Sequence, residues 1–454
     1  MGLSPLSITS ARLMSKPFST PGAEHAARAN AVLSLEFESS AEEFCLAEED
    51  QDSLVFLIKP DQHAWALHDL LYKDCQAIVV TSSDLDPEPF RLGPEHLAPL
   101  GKGTGERILP EIGDTESQYQ LLAEYFYYSE KFLYFRISGL KRALAERPGN
   151  FQLHIYLADS HRELETLVSA ESFALHCTPM VNLFDITAEP TKISPEIVEY
   201  QVIPESRAIG DMEVYAVQEV TLVAEGGGKK HRVPPYYGVD HDPASQPWYW
   251  HGSRRSALSE VGKRNSLTDY FIAITTLENE PVTGERQTMH VRALCSNGNL
   301  PGRLPYGGGQ PRLAAAEPIS GLKEATSISP PTPVRRLDLG RGLLWRLLSH
   351  LNLNYLSLVG NKNPAEQLRE MLRLYDHGDS PTLRARINAV DSVKANIISR
   401  PMSVDGRPVI CRGVNIEVMF ESSLLDNGSA LLLGDMLKEF LSTYVNLNSF
   451  VRLS

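Results

Sequence analysis

The sequence predicts an α+β protein of several domains, with a strand-rich, mostly antiparallel middle region and an α+β carboxyl-terminal domain. Three observations predict it. The chain has 454 residues, too many for one core at about 100–200 residues per domain. Alternating and β-branched runs, parted by turn residues, crowd the stretch between Phe151 and Ala315. Beyond that stretch the apolar spacing switches between helical and every-second-residue patterns.

Residues 1–30 read as a flexible lead-in, rich in Ser, Pro and Ala. Arg12, Lys16 and Arg28 face only Glu24 there, and the apolar block of a secretory signal is missing. An α+β domain follows over 31–150. Val32–Phe37 alternates like a strand, and Ser53–Ile58 is a short apolar run of buried-strand type. Ala64, Leu67, Leu70 and Leu71 share a helix face, and a strand follows at Gln76–Thr81. Leu121, Leu122, Tyr125 and Phe126 mark a second helix, which Ser129-Glu130 breaks before Phe132–Phe135 enters a strand. This aromatic stripe reads as core.

Residues 151–315 form the β-rich domain and 316–336, rich in Pro and Ser, a linker. The carboxyl-terminal α+β domain takes 337–454. Leu344, Leu347, Leu348 and Leu351 lie on one helix face, with Leu353 and Tyr355 alternating after them. Asn363 caps the next helix, Pro364 sits in its first turn and Gly378 ends it. Asp405-Gly406 joins Asn396–Met402 to Val409–Phe420 as a hairpin. Residues 429–445 are helical, and 446–453 close the chain as a strand.

Composition narrows the function. A net charge of −14 argues against a general nucleic-acid binder, which needs a basic face. It also argues against adhesion to anionic lipid. No apolar run reaches the about 18 residues of a membrane span. The five cysteines are odd in number and scattered without a Cys-x-x-Cys pair, which fits buried thiols rather than a disulfide framework or zinc finger.

Chemistry-bearing patterns are thin. Gly226-Gly227-Gly228-Lys229-Lys230 lacks the hydroxyl residue of a phosphate loop and reads as a hairpin turn. Gly101–Gly105 and Tyr306–Gln310 read as surface loops. His231, Asp240, His241 and Asp242 cluster without ligand spacing on a helix. His176 and Cys177 are neighbours that a strand would send to opposite faces. The most enzyme-like stretch is Pro247-Trp248-Tyr249-Trp250-His251, with Asp240 and Asp242 upstream. Aromatic platforms beside paired carboxylates suit a carbohydrate-acting hydrolase, and this is the alternative reading. The same aromatics suit core or a protein interface. Trp248, Trp250 and Trp345 are the candidate interface residues; the reading includes no catalytic residue, cofactor or metal.

Several motifs together carry a resemblance. They are Leu121-Leu122-x-Glu124-Tyr125-Phe126 with Lys131–Phe135, Cys177–Phe184 with Ala188-Glu189-Pro190, Glu199-Tyr200, and Leu300-Pro301. Trp345–Leu358, Leu372-x-Leu374-Tyr375, Arg412-Gly413 and Tyr444–Phe450 complete the set. From about Ala31 to Ser454 the chain resembles the TssF family (also called VasA or ImpG), baseplate subunits of the bacterial type VI secretion system. The resemblance implies an assembly protein without catalysis. It implies wedges of two TssF copies with TssG, TssK at the periphery, and TssE and the spike or hub proteins nearby. The place implied is the bacterial cytoplasm, docked to the inner-membrane complex through partners. Two departures stand out. The helical segment that precedes this region in relatives is missing, as in a fragment or shortened member. Relatives read Cys-Thr-Asn-Arg ahead of Leu-Pro, where this chain has Cys295-Ser296-Asn297-Gly298-Asn299.

Overall fold

The computed structural model describes residues 3–453 except 23–25, 41–51, 84, 111–116, 146–148, 206–210, 225–229, 238–247, 259–263, 277–286, 320, 337–362, 377–379, 405–406, 426–428 and 443–448. The fold is α+β, with mostly antiparallel sheets.

Two sheets build the first body. One runs in the order β1 (Leu6–Ser15), β2 (Ala31–Ser39), β8 (Phe151–Leu157), β4 (Cys75–Thr81), β5 (Phe90–Leu92). The other runs β6 (Leu97–Pro99), β7 (Tyr134–Ser138), β3 (Ser53–Ile58), β9 (Phe173–Leu175). Alternation along β2 turns Leu33, Leu35 and Phe37 into the core. Phe37 stacks on Phe151 within its own sheet at 4.6 Å and meets Phe56 of the facing sheet edge-on at 5.9 Å. Phe56 in turn stacks on Phe135 at 4.8 Å. Offset and edge-on rings join the two sheets more tightly than their apolar area alone would.

Helices α1 (Ala64–Asp74) and α2 (Ser117–Tyr127) pack into the same core. So do the short helices α3 (Leu140–Ala143) and α4 (Arg162–Leu167), through Leu140 and Leu164. The carboxyl-terminal elements join this core as well. They are α5 (Pro364–Leu372), α6 (Pro381–Asn388), α7 (Ala430–Ser442) and the strands β20 (Val390–Val404) and β21 (Arg407–Phe420), with β22 (Ser449–Leu453) paired in parallel on β21. Tyr119 of α2 meets Phe440 of α7 edge-on at 5.5 Å, and Phe126 stacks on Tyr375 at 5.6 Å. Arg386 donates to the buried Ser129 hydroxyl at 3.1 Å. Ser429 caps α7 by accepting from Leu432 N at 2.8 Å and also donates to Asp69 of α1.

The middle body has its own core, shared by two sheets. Their orders are β10 (Phe184–Thr187), β17 (Gln287–Ser296), β13 (Glu213–Ala224), β14 (Lys230–Val233), and β12 (Tyr200–Gln201), β16 (Arg264–Thr275), β15 (Tyr249–Leu258). Val220, Leu222, Ile272, Val291 and Ala293 meet between them.

Four sequence expectations differ from the structure. Residues 1–30 hold β1, which pairs with β2 from Leu6↔Ser39 to Ser15↔Ala31. A bulge between Ile8 and Ser10 shifts the phase of its apolar residues, hiding the alternation. The boundary at 150/151 is displaced, because β8 lies between β2 and β4 at the centre of the first sheet. The middle body starts only at β10. The carboxyl-terminal elements are not a separate domain either, since they share one core with residues 6–175. The expected linker holds a short ladder, Arg312–Leu313 against Ala325–Thr326.

Candidate assembly interface

Trp248 and Trp250 stand where the two middle sheets meet. The amide of Trp250 donates to Pro234 O at 2.9 Å, and its carbonyl accepts from Tyr236 N at 2.7 Å. On the opposite edge of β15 the same residue is paired with Ile274 of β16. Its backbone is thus held from both sides, joining the chain after β14 to the second sheet. Both indoles are half-buried and pack against the middle core. The imidazole of His231 meets the Trp248 ring edge-on at 5.9 Å.

Tyr236 extends the aromatic corner by touching Tyr237, Tyr249 and His251 at ring separations of 5.2, 6.3 and 6.5 Å. Tyr249 is fully buried, whereas Tyr237 is 86 % exposed. Tyr236 and Tyr237 are not among the residues the sequence singles out; their signal is the pair of tyrosines that follows Pro234-Pro235. Amphipathic rings graded from buried to exposed suit a partly wet protein contact. Trp345, Asp240, His241 and Asp242 lie outside the described residues, as does the whole leucine-rich stretch around Trp345.

Other candidates resolve into structural roles. His176 closes β9 with a left-handed φ of 57°, and its Nε2 accepts from Ser4 N at 3.2 Å. Cys177 donates its thiol proton to Leu175 O at 3.2 Å, and burial pushes its pKa up to about 11. A thiol held protonated is a poor nucleophile. His68, Asp69 and Ser429 also meet, but in the wrong order for a triad. The carboxylate of Asp69 bonds both His68 Nδ1 and the Ser429 hydroxyl, so the serine faces the carboxylate and not the imidazole. In the Gly101–Gly105 loop, Gly101 N and Gly103 N donate to the Glu106 carboxylate at 2.7 and 3.0 Å. The loop binds its own anion where a phosphate loop would bind a ligand's. Among the described residues, no group of three or more His, Cys, Asp or Glu is placed to hold a metal ion. No helix among them is long and apolar enough to cross a membrane.

The departure at Cys295-Ser296-Asn297-Gly298 has a local explanation. Gly298 has a φ of +51°, and a Cβ there would lie 2.8 Å from Leu267 Cδ2. A side chain at this position needs both an unfavourable backbone and displacement of Leu267. Next to it, Asn299 Oδ1 accepts from Arg336 Nη1 at 3.0 Å. A guanidinium therefore does reach this turn, but from a residue far along the chain.

The architecture is that of a known class of multidomain α+β subunit. A chain from a solved type VI secretion system TssK-TssF-TssG baseplate subcomplex superposes with a TM-score of 0.73 at 24 % identity, covering 100 % of this chain and 79 % of that one. "Type VI secretion system component TssF1" of Pseudomonas aeruginosa is 29 % identical over 409 residues, covering 87 % of this chain. The chain spans 65 % of that relative's length. The profile described as "Type VI secretion system, TssF" matches residues 1–454, and the chain belongs to this family.

Proposed function

We propose that the chain is a structural subunit of a type VI secretion baseplate and performs no catalysis. The observation that carries this reading is the family match along the whole chain, supported by the shared fold. Nothing in the comparisons favours the carbohydrate-acting alternative. The partners of this reading are TssG, TssK and a second TssF copy, the proteins of the subcomplex that holds the matching fold. TssE and the spike or hub proteins are further partners, contacted in the cytoplasm. Attachment to the inner-membrane complex then runs through the partners.

The aromatic corner at Trp248 and Trp250, together with Trp345, forms part of the contact surface. The half-buried indoles of Trp248 and Trp250, already packed on one side, lose little conformational freedom when the other side is covered. The test is co-purification of the chain with TssG and TssK from its own organism. Binding is expected, and Trp248→Ala or Trp345→Ala should weaken it by about 2 kcal/mol where the residue is an anchor. A chain that folds yet fails to capture either partner removes the proposal. A Trp345→Ala variant that melts early while its folded fraction still assembles reassigns Trp345 to the core.

A further inference from the structure

Two neighbouring arginines in the expected linker reach into different bodies. Arg335 Nη1 donates to Phe126 O, at the end of α2 in the first body, at 3.1 Å. Arg336 turns to the middle body, where its Nε donates to Glu213 Oε2 and Oε1 at 2.8 and 3.1 Å. Its Nη2 lies 2.7 Å from the same carboxylate, and both side chains are largely covered, at 16 % and 9 % exposed. Glu213 opens β13 and also accepts from Thr268 N at 3.0 Å, so its position is fixed within the middle sheets. Asn299 adds a third acceptor for Arg336.

The surroundings make this pairing consequential. The two hydrophobic cores are separate clusters. The chain leaves the first body through residues 176–183 and returns through 297–336, segments whose described residues hold short turns, the isolated bridge Gly307↔Gln310 and one two-residue ladder. Apolar packing resists sliding within each core, whereas a planar guanidinium on a carboxylate fixes direction through its forked geometry. We propose that Arg335 and Arg336 form a clasp that sets the angle between the two bodies, with the crossing segments acting as a hinge when it opens. This is a conformational device, and it stands independently of the assembly role.

Hydrogen–deuterium exchange on the full chain tests it, with small-angle scattering beside it. Arg336→Ala and Arg335→Ala cut the clasp on opposite sides. Each should raise exchange in 176–183 and 297–334 by about tenfold, while β8 and β17 stay protected. Scattering should show a broader range of shapes in both variants. Arg336→Lys keeps the charge but loses the fork, and should fall between wild type and Arg336→Ala. Three results overturn the proposal. One is unchanged exchange and scattering in both alanine variants. The second is loss of protection throughout either core, which makes the arginines folding residues. The third is an effect of Arg336→Ala confined to the Thr268 strand.

Discussion

Glu124 and Lys131 form an ion pair sealed inside the first body, with side chains 2 % and 1 % exposed. Glu124 Oε1 accepts from Ile108 N and Leu109 N at 3.0 and 2.9 Å, and Oε2 accepts from Lys131 Nζ. The ammonium also lies 4.8 Å from the centre of the Phe132 ring. Burial lowers the Lys131 pKa, and the hydrogen bond and charge of Glu124 act against that shift. Lys131→Met fills the space and strands the carboxylate. Removing one partner of a buried pair costs about 3–5 kcal/mol. The two backbone donors that remain place this case near the lower limit, about 3 kcal/mol. Glu124→Gln keeps an acceptor for the two amides but turns an NH2 toward Lys131, a conflict of donors with a similar cost. The double variant should lose less than the sum of the two, by about 1–3 kcal/mol, as coupled residues do. Urea unfolding gives the total, and exchange at the Ile108 and Leu109 amides gives the local effect. A loss below about 1 kcal/mol for Lys131→Met, with those two amides equally protected, would refute the argument that the pair is structurally required.

Leu437→Ala in α7 removes a fully buried side chain, and the cost should be about 2–5 kcal/mol by thermal melt, with protection lost in α2 as well. Gly298→Arg restores the residue type expected from relatives but meets the left-handed backbone and Leu267. It should destabilise the middle body by about 1–3 kcal/mol in the same assay. Alkaline titration gives a third test. Burial raises the Cys75 thiol from 9.0 to about 12 and Cys177 and Cys295 to about 11. The native chain therefore holds protons that the unfolded chain releases. The contribution is intact below pH 9 and is lost as pH climbs from 9 toward 11–12. Denaturant midpoints should fall between pH 8 and pH 10, and Cys295→Ala should flatten that fall.

Much of the local structure was legible in the sequence. The caps at Asn363 and Pro364 and the alternation along β13 and β17 are short-range signals, and the elements appear where they point; β20 and β21 pair as expected on either side of Asp405-Gly406, which itself lies outside the described residues. The sequence misleads where distant pieces meet. Nothing in FQLHIYL distinguishes a strand of the middle body from one inserted between β2 and β4, because both environments favour the same residues. Arg335 and Arg336 looked like the end of a solvated linker, since a guanidinium's acceptor cannot be read from its neighbours in sequence. The candidate interface was half legible. Trp248 and Trp250 stand out by residue type, but the corner depends on Tyr236 N donating to Trp250 O, a bond between residues well apart in the sequence.

The shared core of the first body has a consequence for synthesis on the ribosome. The apolar face of α2, with Leu121, Leu122 and Tyr125, is completed by α7, whose first residue follows about 300 residues later. At about 5–20 residues per second, that face waits roughly 15–60 seconds for its cover. The middle body is encoded entirely within this interval and needs no later segment to close its own core. It is expected to be folded while the first body is still a half-built shell with bare aromatic surface. The newborn chain is then most exposed to chaperones and to mispairing with its neighbours on the same message. A truncation before Ala430 should leave the middle body soluble and the amino-terminal half prone to aggregation.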